Sequence, residues 1–175
     1  MFNATLLRRQ ALRQLGSCAM GAVCTLAAAA RAQAAAAPGQ RVQWPEVALL
    51  GGGSFGPSQA EGRAVVAVFW SITCPFCRRH NEHVEKLHRA AVGKPLVVLG
   101  ISRDTDAAAV ARYARERGYT FPITLAEPVL FAQLGSRRVI PLTVVVGRSG
   151  RIQQSLPGEM FEEDVLELME HAKRT

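Results

Sequence analysis

The chain has 175 residues, 49% of them hydrophobic and 20% charged, with a formal net charge of +7. That length suits one domain of about 100–200 residues, and the composition excludes a wholly disordered chain. After position 40 no run of about 18–20 apolar residues appears, which excludes a polytopic membrane protein. Four cysteines are too few for a disulfide-dense miniprotein, but Cys74 and Cys77 stand three apart.

Residues 1–34 contain Arg8, Arg9, Arg13 and Arg31 and no acidic residue. They hold four of the seven net charges, leaving +3 for the rest of the chain. No basic stripe with interleaved aromatics follows, so nucleic acid is not an expected partner. The first arginines precede an apolar, Ala-rich stretch, Leu15 to Ala30, and small-x-small sites near 32–34. These are the three parts of an export signal. Arg8-Arg9-Gln10-Ala11-Leu12-Arg13 resembles the twin-arginine signal but departs from it at Leu7 and Ala11. That route and general secretion both stay open, as does an uncleaved N-terminal anchor. Cys18 opens the apolar stretch, whereas a lipoprotein cleavage box follows one, so Cys18 and Cys24 are expected to leave with the signal. The expected organisation is an export signal over 1–34, a linker and N-terminal extension over 35–62, and a folded domain over 63–175.

The extension holds a short apolar piece, Val47 to Leu50, and a Gly51-Gly52-Gly53 turn. No Lys-Ser or Lys-Thr follows those glycines, so they are not a phosphate loop. Ala64 to Trp70 is a continuous apolar run, the pattern of a strand buried on both faces. The spacing predicts a helix over 75–91, then a buried strand over Leu96 to Ile101. Asp104 or Thr105 is placed to cap a helix over 106–118, which Gly118 ends. A short helix is expected from Pro128 to Leu134. Strands at Leu142–Val146 and Arg151–Leu156 follow, joined by a turn at Arg148-Ser149-Gly150. An acidic amphipathic helix from Phe161 to Arg174 completes the order. A βαβ unit followed by a ββα unit implies an α/β fold: one mixed central sheet with helices on both faces.

Cys74-Pro75-Phe76-Cys77 lies between a buried strand and a helix, the setting of a dithiol/disulfide redox site. Cys74 falls near the helix N-cap, where unpaired N–H groups and the helix dipole favour a thiolate. Pro75 suits the first turn, because its missing N–H had no partner there. Cys77 follows on nearly the same face, and Arg78 and Arg79 add positive charge. Cys74 is therefore the expected attacking sulfur and Cys77 the resolving one.

Other uses of the pair are weaker. A structural disulfide at this spacing closes too short a loop to stabilise much. Zinc takes about four ligands, and no second cysteine pair follows. His80 and His83 extend the three-residue spacing, but Cys74 and His83 would lie about 13–14 Å apart along the helix axis. Cys74, Cys77 and His80 could hold copper(I). Otherwise His80, His83 and His88 are expected as solvated helix residues, with His80 near enough to tune the field around the pair.

The runs VVAVFWSITCPFCRRH, LVVLGISRD and RRVIPLTVVVGRSGRI resemble thioredoxin-fold proteins. They are similar to the exported bacterial TlpA/ResA-type thiol–disulfide oxidoreductases, over about residues 42–172. The resemblance implies the thioredoxin fold, a redox-active Cys74–Cys77 disulfide with no further cofactor or metal, and protein dithiols or disulfides as substrates. It also implies that Pro141, in Ile140-Pro141, is cis and packs against the disulfide. The Ile140 backbone would then be free to pair with a substrate chain. Read alone, Pro141 is an ordinary proline at the start of a strand. Trp70 walls the site or fills the core, and Pro75 and Phe76 shape the surface between the cysteines. Three departures stand out. Thr73 occupies a usual aromatic position. Val68 stands where thioredoxins carry a buried acid, so no carboxylate base is in view. Pro75-Phe76 is neither the Gly-Pro of thioredoxins nor the Pro-His of strong oxidants, and is nearer the Pro-Tyr of glutaredoxins. The expected function is a periplasmic reductase of protein disulfides, supplied by a membrane thiol electron donor. A copper(I) chaperone, a thiol peroxidase and a non-catalytic scaffold are the rival expectations.

Overall fold

The computed structural model describes residues 37–135 and 139–174; the expected export signal, with Cys18 and Cys24, lies outside them. The first elements are β1 (Val47–Ala48) and β2 (Ser54–Phe55), an antiparallel pair, and α1 (Pro57–Ala60). Gly52 and Gly53 turn the pair with φ of 93° and 74°, the left-handed region that favours glycine. The chain then runs through β3 (Ala64–Trp70), α2 (Pro75–Ala90), β4 (Leu96–Ser102), α3 (Ala107–Arg117) and β5 (Ile123–Leu125). It closes with α4 (Pro128–Leu134), β6 (Leu142–Val146), β7 (Ile152–Pro157), α5 (Glu162–Glu167) and a 3-10 turn at Leu168–Ala172.

The five-stranded sheet has the order β5-β4-β3-β6-β7. β3 pairs parallel with β4 and antiparallel with β6, so the expected mixed sheet forms around its most apolar strand. Every residue of β3 is buried. Its alternation sends Val66, Val68 and Trp70 to one face, and Val65, Ala67 and Phe69 to the other.

The first face packs against Cys77, Val84 and Leu87 of α2, with Val110 of α3 and Val165 of α5. The second packs against Leu130 and Leu134 of α4 and against Val42, Val47, Phe55 and Ala60. The segment before β3 is therefore part of the core. α5 starts with Glu162, Glu163 and Asp164, which suit the positive end of a helix. Lys86 of α2 donates to Glu162 at 2.6 Å.

Several elements differ from expectation: β1, β2 and α1 form in the expected linker and extension, and the helix expected from Phe161 to Arg174 is α5 followed by a 3-10 turn. Asp106, not Asp104 or Thr105, caps α3: its carboxylate accepts from the Ala109 N–H at 3.0 Å. β5 is an additional strand, parallel to β4 along three residues. Three residues are too few for a periodic signal to emerge from sequence.

Candidate active site

β3 ends at Trp70, and the chain turns through Ser71–Thr73 into α2. Asp104 builds that turn. One carboxylate oxygen accepts from the Ser71 hydroxyl at 2.8 Å, the other from the Ile72 N–H at 2.9 Å and the Ser102 hydroxyl at 2.8 Å. The Arg103 N–H donates to the Trp70 carbonyl at 2.8 Å. The end of β4 thus holds the loop that delivers Cys74. Asp104 therefore holds a loop instead of capping α3; its loop partners lie about thirty residues upstream, and only the β3–β4 register brings them together.

Cys74 is the N-cap of α2, and Pro75 opens the helix as expected. The Cys74 Sγ accepts from the Cys77 N–H at 3.1 Å, so one of the helix's unpaired donors already points at the sulfur. Cys74 and Cys77 form a disulfide with Cα atoms 5.2 Å apart. The two cysteines differ in access: Cys74 is half-buried, whereas Cys77 has no exposed surface. Between them Pro75 is exposed and Phe76 is 55% exposed.

The Ile140–Pro141 peptide bond is cis, with Pro141 buried and Ile140 half-buried. Ile140 and Cys74 both pack against the core cluster that contains Cys77. Trp70 is 1% exposed, so it supports the site from beneath and offers no wall to a substrate. Its ring packs near Tyr113 and Tyr119, at 6.0 and 6.1 Å between centroids.

The histidines require a correction. His80 is fully buried, not solvated. It lies on the face of α2 that meets the sheet, three residues after Cys77. The Met160 N–H donates to its Nδ1 at 3.3 Å, so Nε2 carries the proton and donates to the Thr143 hydroxyl at 2.9 Å. Burial, aided by His83 and opposed by Glu159, pushes this imidazole down to about 4. His80 therefore stays neutral and ties the cysteine helix to the strand that follows Pro141. With both ring nitrogens engaged, it could bind copper(I) only by giving up one of those bonds. His83 is partly exposed, 3.5 Å from Glu162, and His88 is half-buried.

Val68 is buried and apolar, as the sequence reading has it. Glu85 is a buried carboxylate on α2, but it lies two turns beyond Cys77, about 12 Å along the axis. Thr120, Phe121 and Arg89 take up its oxygens. Arg79 also differs from its expected role. It donates to Glu159 at 2.7 and 2.5 Å, and this hydrogen bond holds the Glu159 carboxyl below its ordinary value. Nothing in the sequence links these two residues, which are 80 positions apart.

A βαβ–ββα sheet, a disulfide at the N-terminus of the first long helix and a cis-proline before β6 define a thioredoxin-fold thiol–disulfide oxidoreductase. The chain belongs to the AhpC/TSA family, whose model matches residues 38–155. It is similar to the thiol-disulfide oxidoreductase ResA of Halalkalibacterium halodurans, 28% identical over 124 residues, 71% of this chain and 70% of that one. ResA of Geobacillus kaustophilus is 23% identical over 116 residues, 66% of this chain and 67% of that one. Among solved structures, a thiol:disulfide interchange protein from Chlorobium tepidum shares the fold. Its TM-score is 0.70 and its identity 20%, with 78% of this chain and 97% of that one covered. StoA from Bacillus subtilis aligns with a TM-score of 0.64 at 17% identity, covering 74% and 99%.

Proposed function

We propose that the protein is an exported reductase of protein disulfides that works through Cys74 and Cys77. The observation that carries this reading is the asymmetry of the pair: a half-buried cysteine at a helix N-cap, backed by a fully buried one.

In the reduced protein, the Cys74 thiolate attacks one sulfur of a substrate disulfide. The bond from Cys74 to that sulfur forms, the substrate S–S bond breaks, and the other substrate sulfur leaves as a thiolate and takes up a proton. Cys77 then loses its proton and attacks the Cys74 sulfur. The Cys74–Cys77 disulfide forms, and the second substrate sulfur leaves and is protonated. Two electrons and two protons pass to the substrate. A membrane dithiol donor returns the pair to its reduced form.

The reducing direction is supported by Arg79. Its guanidinium is bound to Glu159, whose carboxylate offsets its charge near the first turn of α2. Weaker stabilisation of the thiolate leaves the dithiol a better reductant. Export to the periplasm is supported by the arginine-led apolar segment at the N-terminus. Insulin reduction in the presence of dithiothreitol tests the activity. The wild type is expected to accelerate precipitation of the insulin chains, and Cys74→Ser to abolish the acceleration. A wild type without effect would point to a scaffold.

A further inference from the structure

Phe76 is the large exposed apolar side chain of the first turn of α2. Left alone, such a ring would move among several rotamers. Here the Arg79 guanidinium lies over it, 5.2 Å from the ring centroid. Glu159 holds that guanidinium with two charge-assisted hydrogen bonds. The neighbouring Gly158 N–H donates to the Pro141 carbonyl at 2.8 Å. The ring, its clamp and the cis-proline loop therefore form one connected rim. That rim draws on α2, the β7–α5 connection and the segment before β6. Val139, 44% exposed, adds a second apolar side chain to the segment before β6. Glu159 offsets the charge of Arg79 where it lies over the ring, and Phe76 is the apolar surface of a turn that also exposes Arg78.

We infer that Phe76, positioned by Arg79 and Glu159, is a subsite for the residue flanking the reacting cysteine of a protein disulfide. The subsite selects aliphatic or aromatic neighbours. This inference rests on the disulfide-reductase reading. A chain bonded to the Cys74 sulfur lies against the first turn of α2, where Phe76 offers its area. A ring with few rotamers, already fixed by a cation, loses little freedom when a second apolar group covers it. Glu159 and Arg79 act only through the ring and are positioning residues.

The test uses two disulfide-linked peptides that differ only in carrying Leu or Gly beside the half-cystine. The readout is the ratio of their kcat/KM values within each variant. A change in folding or redox potential moves both peptides together and leaves this ratio alone. The wild type is expected to favour the Leu peptide about tenfold, the scale of one apolar contact. Phe76→Ala removes the preference and Phe76→Tyr keeps it. Glu159→Gln lowers it about threefold, through KM and not kcat. An undiminished preference in Phe76→Ala, or none in the wild type, overturns the subsite alone. A wild type that reduces neither peptide contradicts the reductase reading, and the subsite with it.

Discussion

His80 has no exposed surface, and its imidazole is pushed down to about 4 by burial. The unfolded chain takes up this proton near pH 6.5 and the folded chain does not, so stability falls as pH drops from 6.5 towards 4. The loss is on the order of 3 kcal/mol. His88 and His171 are lowered by burial too and keep part of the slope, so urea midpoints of His80→Gln should fall less steeply across that window than the wild type's; an equal slope would refute the assignment. Glu85 acts in a lower window. Burial pushes its carboxyl up, but hydrogen bonds from the Thr120 hydroxyl and N–H, from Arg89 and from Phe121 bring it below the ordinary value. Its contribution is therefore present above the unfolded carboxylate value and is lost as pH falls through the folded one. Glu85→Gln should cost about 2 kcal/mol at pH 7, with the gap closing on acidification. A gap independent of pH would contradict this. Neither role was legible in the sequence. Helix spacing places His80 near Cys77, but only the sheet supplies Thr143, and only the chain reversal after α3 brings Thr120 to Glu85.

β3 and β4 were legible because strands buried on both faces are unbroken apolar runs, and α2 because Cys74 and Pro75 mark its start. The failures are local competitions. Asp104 and Asp106 both look like caps two residues apart, and geometry gives the cap to Asp106 while the Ser71–Thr73 loop claims Asp104. β1, β2 and β5 are two or three residues long and carry no period. The α3 terminus was read correctly. Gly118 closes it at φ 70°, and its N–H reaches the Ala114 and Arg115 carbonyls. Gly118→Ala should therefore cost about 1 kcal/mol in thermal melts, because a Cβ disfavours that conformation. An unchanged melting temperature would show that the end of the helix can rearrange.

Across the whole molecule, the segment before β3 completes the second face of the core. Phe55 is 1% exposed, and its ring lies edge-on to Trp44 with centroids 5.3 Å apart. Phe55→Ala should cost about 3–5 kcal/mol in urea titrations. A loss of only a few tenths would mean that this segment is not part of the cooperative unit. The site, too, is a property of the assembled fold. The sequence places two cysteines three apart, His80 three residues further on and a proline far downstream, whereas the fold adds Asp104 and Glu159 around them. The couple's reduction potential bears on direction: a reductant should lie near thioredoxin's, about −270 mV, and an oxidant near −120 mV. The central claim, that Cys74 attacks and Cys77 resolves, is tested most directly by trapping. Cys77→Ser should accumulate mixed disulfides with substrate proteins while Cys74→Ser accumulates none; equal trapping by the two variants would contradict it.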